Sequence, residues 1–139
     1  MGKLIKNINQ DTFKPYGIVI EQNLENPKKF QVIINETGKV GWRIAVSRLA
    51  QNMVQGMGKH PDSMESFEPV SGVVILLVAL PETPEDFEVF LLDRPVCLFK
   101  NIWHATLTLS ECALVKITEN LEVNSENYRF KKEYRGSLS

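Results

Sequence analysis

Short apolar stretches separated by turn-forming residues recur along most of the chain. The stretches are rich in Val, Ile and Leu, which is typical of β-strands. They predict strands that begin at Leu4–Ile5 and continue at 17–20, 30–34, 42–50, 72–80, 88–92, 96–99, 105–109 and 113–117. The stretch after Gly72 is apolar at every position to Leu80, so we expect this strand to lie between two packed layers. The helical signals at 11–14 and 84–87 are about one turn long.

Many short strands with turn signals between them predict an all-β sandwich or barrel with few short helices. A chain of 139 residues suits one domain, and we assign residues 1–124 to it. The apolar pattern is lost from Asn124 onward. Residues 125–139 are therefore predicted to form a polar C-terminal extension.

Composition and charge narrow the classes of protein to consider. The formal net charge of −1 argues against a nucleic-acid-binding protein, which normally carries a basic surplus. The longest apolar run, 73–80, is far below the roughly 20 residues that span a bilayer, and the N-terminus has no apolar signal core. We therefore expect a soluble cytoplasmic protein without nucleic-acid or membrane partners.

The two cysteines, Cys97 and Cys112, both lie in apolar runs. This placement indicates reduced core residues in a reducing compartment. A single disulfide between neighbouring strands is the alternative.

The candidate chemistry centres on the only two histidines, His60 and His104. Glu65 follows His60 closely, and a turn at Pro61–Asp62 could bring both side chains to one inner face from two adjacent strands. An imidazole–carboxylate–imidazole set suits a divalent first-row metal such as Mn, Fe, Ni or Zn. In the alternative interpretation the histidines are surface or hydrogen-bonded residues and Glu65 faces solvent.

Several other residues are candidates for binding a ligand. Arg48 or Lys100 could hold a carboxylate, and Trp103, like Trp42, could form the wall of a pocket. Arg48 could equally pair with a surface acid, and the tryptophans could be core residues. The chain contains no motif for a serine or cysteine nucleophile.

The order of four short motifs resembles that of the ureidoglycolate lyase family. The opening segment 8–21 is similar to the Phe-x-x-Tyr-Gly-x-Val-Ile-Glu pattern that begins those chains. The later segments 43–48, 60–79 and 101–104 are similar to their arginine-bearing strand, their His-Pro…Phe-x-Pro…Gly…Val-Ala segment and their Trp-His segment. The resemblance covers about residues 4–120.

The resemblance implies a cupin-like double-stranded β-helix barrel (jelly roll), often a homodimer, and a role in purine nitrogen salvage through allantoin. The implied reaction cleaves ureidoglycolate to glyoxylate and urea. A divalent metal at His60, Glu65 and His104 would bind the carboxylate and hydroxyl of this small acid, with Glu65 as ligand or general base. The broader cupin signature, His-x-His then Glu then Gly then a late His, places its first histidine at Gly58.

Three departures from the lyase pattern keep other functions open. Leu98–Phe99 replace a Tyr-His pair, Ala105–Thr106 replace a His-Pro pair, and the segment 117–120 lacks the expected arginine. The alternatives are a non-catalytic cupin that binds a small carboxylic acid or sugar, and a cupin isomerase or oxygenase acting on another small acid.

Overall fold

Eleven strands form two sheets in residues 3–137, the part of the chain that the structure, a computed structural model, describes. The strands are β1 (Ile5–Asn7), β2 (Gly17–Val19), β3 (Arg43–Leu49), β4 (Met53–Lys59), β5 (Glu65–Ser71), β6 (Val74–Ala79), β7 (Glu88–Leu92), β8 (Val96–Leu98), β9 (Trp103–Thr108), β10 (Ala113–Glu119) and β11 (Glu126–Arg135). A one-turn helix, α1 (Gln10–Phe13), and a 3-10 turn at Pro84–Asp86 are the helical elements of the described residues. None of these helices is long and apolar enough to cross a membrane.

The strands are ordered β1-β7-β6-β9-β4-β11 in the six-stranded sheet and β2-β8-β5-β10-β3 in the five-stranded sheet. All pairs are antiparallel except β1 with β7. Neighbours in a sheet come from distant parts of the chain, so most connections cross between the two sheets. The sandwich or barrel predicted from the strand pattern is confirmed.

β6 lies at the centre of the fold and is buried on both faces. Val74, Leu76 and Val78 point between the two sheets, where they pack with Phe67 and Phe90. The alternate residues Ile75, Leu77 and Ala79 point to the outer face of the six-stranded sheet, which is covered by a second apolar cluster that includes Phe87, Trp103 and Phe130. Every residue of β6 is at most 1% exposed. The prediction that this strand lies between two packed layers is confirmed.

The strand predicted at 30–34 is wrong, because this segment is part of a long loop. The Gln31 side chain donates to the backbone carbonyls of Asn23, Asn26 and Lys28 at 3.0, 3.3 and 2.8 Å. These bonds hold the backbone in a loop instead of a sheet ladder. Phe30, an apolar residue of the segment, is 85% exposed.

Two strands have no apolar signal in the sequence. β4 contains Gly56 and Gly58, and β11 lies in the segment that we assigned to a polar extension. β11 pairs with β4 as an edge strand, and its one buried residue is Phe130, which packs in the outer apolar cluster. The sequence pattern is weak here because an edge strand buries few of its residues.

The two cysteines lie in different environments. Cys97 is buried in β8, as expected, but Cys112 is exposed in the turn before β10, so its assignment to the core is wrong. Both thiols are free. An apolar run that continues into a turn explains the mistaken assignment.

Candidate metal centre

His60, Glu65 and His104 converge at one end of the space between the two sheets. His60 follows β4, Glu65 begins β5, and His104 is the second residue of β9. The Glu65 Oε1 atom lies 3.2 Å from His60 Nε2 and 3.0 Å from His104 Nε2. The three ligand atoms lie within 4.8 Å of one another. The three residues that the sequence analysis proposed thus lie together, and their role as metal ligands stays a prediction.

The strand arrangement that brings them together differs from the expected one. His60 and Glu65 do not sit on adjacent strands of a sheet, because β4 and β5 belong to opposite sheets. The turn at 61–64 carries the chain across from one sheet to the other. Asn120 anchors this turn by donating from its backbone to Ser63 Oγ and from its side chain to the Asp62 carbonyl, at 3.0 and 3.1 Å.

Backbone carbonyls orient both imidazole rings. The Nδ1 atom of His104 lies 3.0 Å from the Ile102 carbonyl, and that of His60 lies 3.2 Å from the Asn124 carbonyl. A carbonyl can only accept, so the His104 Nδ1 carries the proton and donates. The His60 Nδ1 also lies 3.1 Å from Ser125 Oγ, which can accept or donate, and the Asn124 carbonyl favours the same tautomer at His60. In the neutral ring each Nε2 then presents a lone pair to the buried Glu65 Oε1, which in that state has no hydrogen-bond donor. Three acceptors that face one point need a proton on an imidazole or a metal cation between them, and this donor set fits a divalent metal.

The ionisation of the cluster also favours a bound cation. Burial raises the pKa of Glu65, but hydrogen bonds with His104 and His60 outweigh this effect and bring the pKa to about 2. The hydrogen bond with Glu65 raises the pKa of His60 above its ordinary value, although desolvation opposes the rise. Glu65 is therefore ionised at neutral pH, and a proton on His60 and a metal ion compete for the same position.

A second ion pair, which the sequence analysis missed, borders this cluster. Glu119 Oε1 lies 3.7 Å from His60 Nε2, and Glu119 Oε2 accepts from Arg43 Nε and Nη2 at 2.9 and 2.6 Å. In β10 the alternation from Ala113 through Val115 and Ile117 places Glu119 on the inner face. That alternation was a usable signal.

The structure places the predicted ligand-binding residues away from the cluster. Arg48 is exposed on β3, where the inner face carries Arg43, Ser47 and Leu49, and so it points outward. Lys100 pairs with Glu36 at 2.6 Å. Trp103 lies in the outer apolar cluster and donates to the Pro81 carbonyl at 2.9 Å, because it alternates with His104 along β9. Their roles in binding stay predictions that this geometry does not favour.

An open groove of about 440 Å³ adjoins His104 on the inner face of β9, β4 and β11. Gly58 lines it opposite His104, and the lack of a side chain there leaves space beside His104. Gly56 also lines it, but a Cβ there would meet the Tyr128 carbonyl oxygen at 2.1 Å, so this glycine permits the close approach of β11. Arg129 and Asn127 lie on the same face, because they pair with Gly56 and Gly58. The structure gives the Arg129 side chain no ion pair or side-chain hydrogen bond among the described residues. Of the three cluster residues only His104 lines this groove, so a small anionic ligand would reach the cluster from the His104 side, with Arg129 as the nearby cation.

Comparisons with known proteins bear on the fold. No family model matches the chain, and no curated protein matches it. A dTDP-sugar isomerase from Desulfovibrio desulfuricans is similar in structure, with a TM-score of 0.50 and 14% identity, over 84% of this chain and 71% of that one. The fold is of the cupin type. A mutant of oxalate decarboxylase from Bacillus subtilis has a TM-score of 0.45 and 12% identity over 64% of this chain, which spans 24% of that chain.

The cupin-type jelly roll confirms the predicted fold class. The motifs that resemble ureidoglycolate lyases find no counterpart in these comparisons, so that assignment stays a hypothesis. The likeness to solved structures concerns the fold alone, because the identity is low. Function must be argued from the cluster itself.

Proposed function

We propose that this cupin binds one divalent first-row metal ion at His60, Glu65 and His104 and uses it to hold and activate a small carboxylic acid. The observation that supports the proposal is the convergence of both Nε2 atoms on Glu65 Oε1 within 3.2 Å, with each Nδ1 facing a backbone carbonyl. When bound, the metal would supply Lewis acidity toward a ligand oxygen. The protein supplies orientation, a buried anionic ligand and an open groove.

The groove supports a small anionic ligand. Arg129 offers five donors in a planar fork, which matches the geometry of a carboxylate. Gly58 leaves room beside His104 where the cupin signature has its first histidine. Fewer protein ligands leave more coordination positions for a chelating acid.

The specific reaction that we propose to test first is the cleavage of ureidoglycolate. In this reaction the substrate hydroxyl loses its proton, the carbon–nitrogen bond breaks, and the ureido nitrogen takes up a proton, which yields glyoxylate and urea. A group that lowers the pKa of the hydroxyl favours this collapse. The motifs at 8–21, 60–79 and 101–104 support this choice of substrate.

The first experiment measures metal binding by calorimetry after treatment with a chelator. Mn²⁺, Ni²⁺ and Zn²⁺ are each titrated into the protein, and we expect one ion per chain. Glu65→Gln removes the charged ligand and should weaken binding by at least about 100-fold. Glu68→Gln is the matched control, because Glu68 lies on the same strand and pairs with Lys116 at 3.6 Å, away from the cluster. Equal affinity in all three proteins rejects the proposed centre.

The second experiment separates a lyase from a binding protein. Metal-loaded protein is incubated with ureidoglycolate, and glyoxylate is measured. Release that His104→Ala abolishes supports the lyase. A raised thermal midpoint with the acid but no glyoxylate supports the second candidate, a non-catalytic cupin that binds a small acid or sugar.

A further inference from the structure

Glu119 ends β10 directly opposite Glu65, the first residue of β5, in the antiparallel pair of these strands. Its side chain is only 8% exposed. One carboxylate oxygen, Oε2, accepts both donors of Arg43. The other oxygen, Oε1, is buried without a hydrogen-bond partner and lies 3.7 Å from His60 Nε2. A buried carboxylate oxygen without a donor is costly, so this atom calls for a partner that belongs to a ligand.

Glu119 borders the metal centre without belonging to its ligand set. Glu119 Oε1 lies 3.7 Å from His60 Nε2, but Glu119 is not in the group whose ligand atoms all lie within 4.8 Å of one another, which is His60, Glu65 and His104. Two ligands of one ion, each at roughly 2.0–2.2 Å, lie no more than about 4.4 Å apart. The Glu119 carboxylate is therefore placed to contact a group bound at the centre instead of the ion itself.

We propose that Glu119 Oε1 accepts a hydrogen bond from the hydroxyl of a ligand held at the metal centre, so that the site selects hydroxy acids. The inference rests on the proposed function and names its substrate class. An ionised carboxylic acid without a hydroxyl has no donor for Glu119 and would bring a second negative charge toward it. A hydroxy acid supplies a donor together with its carboxylate.

Arg43 is the positioning residue of this arrangement. Both of its hydrogen bonds go to Oε2, so Oε1 is turned inward, toward His60. Arg43 can only donate. In Glu119→Gln the amide carbonyl would therefore face Arg43, and the NH₂ group, a donor, would face the site. The substitution removes the acceptor while it keeps the size of the side chain.

The test combines two ligands with two proteins. Glycolate and methoxyacetate both carry a carboxylate and an oxygen on the next carbon, but only glycolate can donate a hydrogen bond. Their dissociation constants are measured by calorimetry on the metal-loaded wild type and on Glu119→Gln. The ratio of the methoxyacetate dissociation constant to the glycolate dissociation constant should be about tenfold larger in the wild type than in Glu119→Gln. A tenfold difference is the effect of one charge-assisted hydrogen bond. The cycle cancels the steric effect of the methyl group.

Two further measurements keep the outcome clear. Arg43→Gln should reduce the preference for glycolate with little change in metal affinity, whereas Glu68→Gln should leave both unchanged. An unchanged preference in Glu119→Gln, with metal still bound, overturns the inference and leaves the metal centre standing. If Glu119→Gln does not fold, a wild type that binds methoxyacetate as tightly as glycolate overturns it. A protein that binds no metal overturns the proposed function itself.

Discussion

Gly58 and His104 lie directly opposite each other on the paired strands β4 and β9. Residues that pair in this way point to the same face of a sheet, so position 58 faces the metal centre. The resemblance to the cupin signature places the first histidine of that signature at this position. Because glycine has no side chain, position 58 offers no ligand to an ion bound at the proposed centre.

Gly58→His should therefore raise metal affinity, on the order of tenfold, by adding an imidazole to the centre. A Cβ at position 58 would meet Asn127 Oδ1 at 3.5 Å and the Glu126 carbonyl at 3.6 Å, which are ordinary contacts. Calorimetry with Zn²⁺ measures the change. Gly58→Ala is the control and should keep the wild-type affinity. A histidine variant that binds no more tightly than the alanine variant would show that position 58 does not reach the ion.

The stability of the metal-free protein should depend on pH in a defined window. The pKa of Glu65 is lowered to about 2, so its contribution is complete above the ordinary value of 4.5 and is lost as the pH falls. The pKa of His60 is raised, so its contribution is complete below the ordinary value of 6.5 and is lost as the pH rises. The thermal midpoint should be highest between pH 4.5 and 6.5. Scans from pH 3 to about 9 measure it, and Glu65→Gln should flatten both flanks.

Arg129 should contribute to anion binding and Arg48 should not. Arg129 lines the groove beside His104, whereas Arg48 points outward from β3. Arg129→Ala should weaken the binding of glycolate to the metal-loaded protein by about tenfold. Arg48→Ala, which removes the same charge elsewhere, is the control. Equal losses in both variants would indicate a general effect of net charge and would exclude a specific contact.

The expected homodimer remains a prediction, and the outer face of β3 is where we propose that it forms. β3 is an edge strand, and Trp42, Ile44 and Val46 on this face are 69%, 52% and 62% exposed. Edge strands with exposed apolar side chains favour pairing with another chain. Val46→Asp should convert a dimer to a monomer in light scattering. Leu4→Asp, at a residue 83% exposed but outside this face, should not. A wild type that is monomeric at about 100 µM would contradict the prediction.

Gly72 should be intolerant of any side chain. Its φ of 79° lies in the left-handed region, and a Cβ would approach the Cys112 carbonyl oxygen to 2.4 Å. Gly72→Ala should therefore reduce the free energy of unfolding by about 1–3 kcal/mol. Urea unfolding measures the loss. Gly38→Ala is the control, because a Cβ there meets only contacts of 3.5 Å or more.

The strands with buried apolar residues were predictable, whereas the polar strands and one loop were not. Alternation and apolar runs located β6, β7, β8 and β10 because each buries two or more apolar residues. β4 and β11 were missed because glycines and an edge position remove the apolar signal. Residues 30–34 had the pattern of a strand, but the side-chain bonds of Gln31 hold them in a loop.

The sequence by itself determined the fold class and the three residues of the candidate metal centre, since the chain has only two histidines and a signature that relates them to one acid. Only the tertiary structure decided which arginine and which further acidic residue lie beside these three residues. Arg43 lies beside the centre and Arg48 does not, because side chains alternate between the two faces of a strand. Which face of β3 points inward is known only once the register of β3 with β10 is known. Glu119 lies beside the centre because β10 pairs with β5, a strand that is distant along the chain, and local sequence does not encode this contact.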